Sequence, residues 1–266
     1  SGAYVGYLDG RPAGYYENFK TGIKTNWKAE DVSLSSEQKN ALIAQAKQRK
    51  AHREAERLAV HKHNAKRCQQ LWAQLKPASK DNSYLKEKGV HAYDVREDKQ
   101  GRLVIPLRDE NNEIWSIQRI SANSFKSLKK NARKEGNYHT LNSRQIERSG
   151  GVILIAEGYS TSATLAMATD LPVISTIDSG NMPGVAEKLA SKYPNHRLVI
   201  CGDDDRFNEK CNKGRDKAEE TAKLVTGVAL FPRFLSNTSK GTDFNDLYIE
   251  SGLDAVKAQL SGPLGR

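Results

Sequence analysis

The chain has 266 residues, a formal net charge of +10 and a pI near 9.4, which allows two or three substructures and suits a polyanionic partner. No stretch approaches the roughly 20 apolar residues of a spanning helix and no secretory signal opens the sequence, so neither a membrane partner nor export is expected. Cys68, Cys201 and Cys211 are too few and too scattered for a disulfide framework or a zinc site, and they fit a reducing, cytoplasmic setting.

Residues 3–32 alternate short aromatic runs such as Tyr4-Val5-Gly6-Tyr7 with turn signals at Asp9-Gly10, Gly14 and Thr21-Gly22. They predict a small antiparallel β element. Ser35-Ser36-Glu37-Gln38 has the form of a capping box. The following residues lack Gly and Pro as far as Lys76-Pro77 and predict one long helix. Leu58, Ala65, Cys68, Trp72 and Leu75 keep helical spacing and give a narrow apolar stripe. Ten Lys or Arg against three Glu between Ser35 and Lys76 leave two readings open: a solvated helix docked by its stripe, or a nucleic-acid arm. His61 and His63 sit two apart on this helix and face different ways, so they do not make a metal pair.

Residues 78–150 form a second small unit in this reading. Runs 102–108 and 113–119 predict two strands joined by the polar turn Asp109-Glu110-Asn111-Asn112. A basic tract follows, with eight Lys or Arg between Arg119 and Arg148 against Glu135 and Glu147. It is either a solvated loop or a grip for nucleic acid, with Tyr138 and His139 available for stacking on bases.

Residues 151–234 alternate: strand 152–156, helix near 161–169, strand 172–176, helix near 183–193, strand 197–201, helix near 214–226, strand 228–231. Continuous apolar strands alternating with helices predict an α/β unit, a parallel sheet flanked by helices. The tail after Pro232 carries Lys240-Gly241-Thr242-Asp243-Phe244-Asn245-Asp246 and a short helix. The expected divisions are 1–77, 78–150, 151–234 and a C-terminal extension, 235–266.

The chemistry gathers at two strand ends. Val152-Ile153-Leu154-Ile155-Ala156 delivers Glu157-Gly158, and Arg197-Leu198-Val199-Ile200-Cys201 delivers Gly202-Asp203-Asp204-Asp205. In an open parallel sheet the strand C-termini line one edge, where ligands bind. Carboxylates crowded there repel each other, and a hard divalent cation is the usual reason to tolerate that. Period-two alternation would aim Asp203 and Asp205 one way and Asp204 the other. The bland alternatives are a helix-start acid at Glu157 and a solvated acidic loop. The Gly-x-Gly-x-x-Gly, P-loop and Gly-x-Ser-x-Gly signatures are missing.

Glu157-Gly158 after one strand and Asp203-Asp204-Asp205 after a later one resemble the pattern of Toprim domains, which occur in primases, topoisomerases and nucleases. The order Arg102, Pro106, Asp109, Arg119, Lys126, Asn131 resembles the lead-in of DnaG-type replicative primases. Gln118-Arg119-Ile120 and Asp243-Phe244-Asn245-Asp246 resemble the signatures of plasmid and phage primases still more. The resemblance spans roughly residues 80–250. It implies a Toprim core preceded by a small basic α+β unit and an N-terminal β-plus-long-helix element.

The resemblance also implies roles. Asp203 and Asp205 would hold Mg²⁺ or Mn²⁺, Asp243 and Asp246 would complete the metal shell, and Glu157 would ligate metal or take a proton. Arg102, Arg119, Lys126, Lys129, Lys130 and Arg215 would contact nucleotide or nucleic acid. The implied activity is primer synthesis on single-stranded DNA from NTPs, with a replicative helicase as a further partner. A Toprim nuclease and a non-catalytic single-strand binder remain as alternatives. Asn245 stands where the second acid of the late motif is expected, and no zinc ribbon is present in the sequence.

Overall fold

In the computed structural model the described residues are 1–8, 12–29, 35–148, 150–207, 212–234 and 239–265; the Asp9-Gly10 turn and Cys211 lie outside them. The chain divides into two compact units, Ser1–Ala59 and Val60–Arg266, and the division falls inside the long helix.

In the first unit β1 (Gly2–Tyr7), β2 (Ala13–Asn18) and β3 (Lys24–Lys28) pair antiparallel in that order. The β2–β3 turn places Gly22 at φ 71°, and its N–H donates to the Asn18 carbonyl. Helix α1 (Ser36–Gln74) starts on the expected capping box. Ser35 Oγ accepts the Gln38 N–H at 3.2 Å and Gln38 Oε1 accepts the Ser35 N–H at 2.9 Å, so two otherwise orphaned donors are satisfied. None of the described residues of this unit is buried.

In the second unit the end of α1 buries Ala65, Cys68 and Trp72, three of the residues of the expected stripe. They pack on Val104, Ile114 and Ile117 of a five-stranded antiparallel sheet. Its strands are β4 (Lys76–Pro77), β5 (Arg96–Glu97), β6 (Leu103–Arg108), β7 (Ile114–Ile120) and β8 (Lys126–Leu128). A short helix, α2 (Ser83–Glu87), lies between β4 and β5, capped by the Asn82 side chain. Strand β6 is buried on both faces. Val104 meets α1, while Leu103, Ile105 and Leu107 join the large core. The hairpin turn is held by Asp109, whose Oδ1 accepts the Asn111 and Glu113 N–H groups at 3.0 Å and whose Oδ2 accepts the Trp115 indole N–H at 2.8 Å.

The other five-stranded sheet has the order β13-β12-β10-β11-β9. Strands β10 (Val152–Ala156), β11 (Val173–Ser175), β12 (Arg197–Cys201) and β13 (Val228–Leu230) run parallel, and β9 (His139–Leu141) adds an antiparallel edge. Alternate side chains of one strand enter opposite cores. Leu154, Ala156, Val199 and Cys201 pack with α3 (Tyr159–Thr169), α6 (Phe244–Ser251) and α7 (Leu253–Leu264). Ile153, Ile155, Leu198 and Ile200 pack with α4 (Met182–Lys192) and α5 (Lys213–Leu224). Burial on both faces is why these strands read as continuous apolar runs, each large side chain stabilising the fold by about 1.5–3 kcal/mol. The α/β expectation and its element order hold. Cys68 and Cys201 are free thiols in these cores, and among the described residues no helix is long and apolar enough to cross a membrane.

Candidate active site

The strand order decides where a site can form. From β10 the chain passes to β11 on one side, then returns across to β12 on the other. The connections therefore diverge at the C-terminal ends of β10 and β12, and a crevice opens between them. Ala156 is in register with Cys201, so Glu157 and Asp203 emerge one and two residues beyond the same level.

Asp203 is a strongly perturbed acid there. Burial pushes its carboxyl up to about 8, with Asp243, Glu157 and Asp205 adding to the rise and Lys126 opposing it. Its Oδ1 is buried and has no hydrogen-bond partner. The backbone at this point is tightly enclosed. A Cβ at Gly214, in the first turn of α5, would fall 2.7 Å from the Asp203 carbonyl oxygen, so only glycine lets α5 start this close.

Glu157 is likewise raised by burial, with Lys126 opposing and Asp178 and Asp205 reinforcing. Its carbonyl accepts the N–H of Ile177 at 2.8 Å. Ile177 is β-branched yet has φ 76°, a strained conformation held at the edge of the crevice. Asp243 caps α6, its Oδ1 accepting the Asp246 N–H at 2.8 Å and its Oδ2 the Thr161 hydroxyl at 3.1 Å. Burial and Asp246 raise it nonetheless. Asp246 accepts the Thr242 N–H at 2.9 Å. Asp205 accepts the Gly214 N–H at 3.1 Å at the start of α5, where negative charge is favoured.

Of the three neighbouring aspartates, Asp204 has partners of its own, Asn212 Nδ2 at 2.6 Å and Arg215 Nε at 3.2 Å. Burial raises its carboxyl, but Arg215 and Asn212 outweigh that and hold it below the usual range. Arg215 is accordingly committed to Asp204 and to Glu219, with its guanidinium stacked 4.0 Å above the Phe231 ring.

The basic residues also separate. Lys126, on β8, is exposed and belongs to the acid site, acting on both Glu157 and Asp203. A Cβ on Gly158 would lie 3.5 Å from its Nζ. Lys126 pairs with Ile120 across the ladder and so shares its face, whereas Arg119 pairs with Ser127 and takes the opposite face. Arg119 and Arg102 converge on Asp98, at 3.7 Å and 2.7 Å, and line a pocket with Leu75 and Pro77. Lys130 is exposed and Lys129 half-buried beyond β8.

Sequence reasoning passed over Asp178 and Lys134. Asp178 follows β11, the second of the parallel strands in the chain, its carboxylate 2.8 Å from Lys134 Nζ, and it bears on Glu157. The signal was available, since an acid after β11 stands at the same edge as those after β10 and β12. Thr161 was missed because a threonine inside a helix carries no motif of its own.

The donor set suits a hard divalent cation. It is built from carboxylate oxygens, and one of them, Asp203 Oδ1, is buried with nothing to bond. Among the described residues no three His, Cys, Asp or Glu side chains already stand as a finished cage. The acids instead accept from N–H groups and from the Thr161 and Thr242 hydroxyls.

Comparison with known proteins bears on this edge directly. Residues 152–254 match the model of the Toprim domain family, and the matched span includes Glu157, Asp203, Asp205, Asp243 and Asp246. The chain is also homologous to a segment of DNA primase TraC of Escherichia coli, at 38% identity over 239 residues and 88% of this chain. A second Escherichia coli DNA primase TraC is 36% identical over 238 residues. The chain spans only 22% and 16% of the lengths of these relatives. A crystal structure of the Aquifex aeolicus primase, comprising its zinc-binding and RNA polymerase domains, matches 98% of this chain and 79% of its own, with a TM-score of 0.51 at 15% identity. That is a likeness of fold.

Proposed function

We propose that this chain carries a Toprim domain and is the catalytic core of a DNA primase, a nucleotidyltransferase that joins ribonucleotides into short primers on single-stranded DNA during plasmid or phage replication. One observation carries the reading: the buried, unpartnered Oδ1 of Asp203, flanked by Glu157, Asp205 and Asp243 and opposed by Lys126. Kinship with DNA primase TraC over most of the chain supports it.

In this reading Asp203, Asp205 and Asp243 hold Mg²⁺ or Mn²⁺, with Asp246 fixing the loop that presents Asp243. When bound, the cation neutralises charge on the triphosphate and lowers the cost of in-line attack. The chain's own residues do the rest. Lys126 is the cation that acts on both Glu157 and Asp203, and it pairs with phosphate oxygens of the incoming nucleotide. Glu157 has a carboxyl raised by burial, which suits it to accept the proton of an attacking 3′-hydroxyl. Asp178 and Lys134 position Glu157 from the neighbouring strand end. Lys129 and Lys130 meet the template backbone. Arg102 and Arg119 lie on the other face of their sheet, so they act on nucleic acid outside the acid crevice. Arg215 braces Asp204. The setting is the cytoplasm, with a replicative helicase as the natural partner of a primase.

The test is incubation of the protein with single-stranded DNA, labelled NTPs and Mg²⁺ or Mn²⁺. Extended products support the proposal. Shortened DNA would mean a Toprim nuclease, and retention without chemistry a binding module.

A further inference from the structure

The N-terminal sheet has an unusual face. Register places Tyr4 opposite Tyr16 and Tyr16 opposite Thr25, while Gly6 lies opposite Gly14 and Gly14 opposite Trp27. Period-two alternation then puts Tyr4, Tyr16 and Trp27 on one face with Gly6 and Gly14 between them. The glycines are there for the indole. A Cβ at Gly14 would fall 2.5 Å from Trp27 Nε1 and 2.7 Å from Cε2, and one at Gly6 would sit 4.0 Å from Cζ2. The ring therefore lies across the bare backbone of the two neighbouring strands. The opposite face bonds Glu17 to the Tyr15 hydroxyl and, at 3.0 Å, to Lys24, and it leaves Val5 and Tyr7 exposed without a second stacked indole.

The aromatic face is open: Tyr4 is 85% exposed, Tyr16 45% and Trp27 43%. A three-stranded sheet with no buried residue gains little stability from its own core, and uncovered aromatic area of this kind marks a binding surface. Charge selects the occupant. Among the described residues Lys20, just beyond β2, makes no ion pair, and the sequence of α1 up to residue 59 holds six Lys or Arg against three Glu. Flat aromatic rings set among glycines, in a unit whose helix carries twice as many Lys and Arg as Glu, fit π-faces strung on a polyanion. An aliphatic protein helix would call for Leu and Ile in their place.

We infer that the Tyr4–Tyr16–Trp27 face is a stacking platform for the bases of single-stranded nucleic acid. Duplex DNA does not fit it, because paired bases keep their π-faces inside the stack. Stacking contributes about 1–3 kcal/mol per base and tolerates any sequence.

The test uses the whole chain in EDTA, so that its outcome is independent of the chemistry proposed for the acids. Fluorescence anisotropy compares a labelled oligothymidylate with an abasic strand of equal length and charge. The wild type should prefer the strand that has bases. Tyr4→Ala, at the most exposed of the three rings, should weaken oligothymidylate binding roughly tenfold. It should leave abasic binding and the salt dependence of affinity unchanged. Tyr4→Trp should restore the loss, and Tyr4→Leu, which restores apolar area without a π-face, should not. Equal binding of both strands by the wild type, or rescue by leucine, would overturn the platform.

Discussion

The parallel sheet and the N-terminal sheet use side chains in opposite ways. Strands β10 and β12 are apolar on both faces and almost wholly buried, and the carboxylates they deliver sit in a crevice that raises Asp203 to about 8. Strands β1 to β3 bury nothing and hold their aromatics out to solvent. The first region can carry mutual repulsion among its acids because two cores lock the strand ends in place. The second has no such reserve, and what it presents is surface. A charge cluster tolerated by a rigid scaffold and an aromatic face left uncovered are two different signs of function, one pointing to chemistry and the other to recognition.

The largest effect should come from discharging the acid edge. Asp203→Asn and Glu157→Gln should each cut primer synthesis by roughly 10²-fold or more, consistent with about 3 kcal/mol of lost electrostatic stabilisation. The same changes should raise the melting temperature in EDTA. A carboxyl raised above its unfolded value loses its contribution to stability as pH rises through the folded value, so a neutral isostere relieves the native state. Loss of activity accompanied by loss of stability would remove the distinction between the two regions.

Next in size is a pH effect confined to the second unit. His139 on the edge strand β9 is fully buried, with Nε2 2.8 Å from the Tyr93 carbonyl, and burial draws its pKa down to about 4. The neutral ring therefore contributes stability above about pH 6.5 that is lost as pH falls toward 4, up to about 3 kcal/mol. Urea midpoints between pH 7 and pH 4 should fall more steeply for the wild type than for His139→Gln. Parallel curves would mean that the histidine is charged in the fold.

Asp204→Asn should lower stability by about 1 kcal/mol or less, since Arg215 is partly solvated, and should leave more primer synthesis than Asp203→Asn does. The smallest effect is electrostatic. Replacing Lys126, Lys129 and Lys130 with alanine should flatten the dependence of log affinity on log salt for single strands, by about 0.7 for each phosphate no longer neutralised. An unchanged slope would shift the electrostatic grip to the first unit, and to Lys20, Lys28 and α1.

Much of this was legible in the sequence. Continuous apolar runs ending in Glu157 and Asp203 gave both the parallel strands and the edge where the acids meet, because burial on two faces and a shared strand direction leave few other arrangements. The capping box at Ser35 was legible because its two hydrogen bonds are local. The side of a sheet was not. Arg119 and Lys126 stand in one basic tract, yet ladder register sends them to opposite faces, and register depends on turns that a charge count does not see. Asp109 belongs to a recognisable motif, but its work of gathering the turn N–H groups and the Trp115 indole becomes visible only in three dimensions. Trp27 lying over Gly14 is equally a product of cross-strand pairing between residues thirteen apart in sequence.

The central claim is that the unpartnered carboxylate of Asp203 belongs to a cation site, while its neighbour Asp204 belongs to the scaffold. Calorimetric titration with Mn²⁺, without nucleotide or template, tests it most directly on wild type, Asp203→Asn and Asp204→Asn. Binding by the wild type and by Asp204→Asn, with none by a folded Asp203→Asn, is the predicted result. Undiminished binding by Asp203→Asn would contradict it.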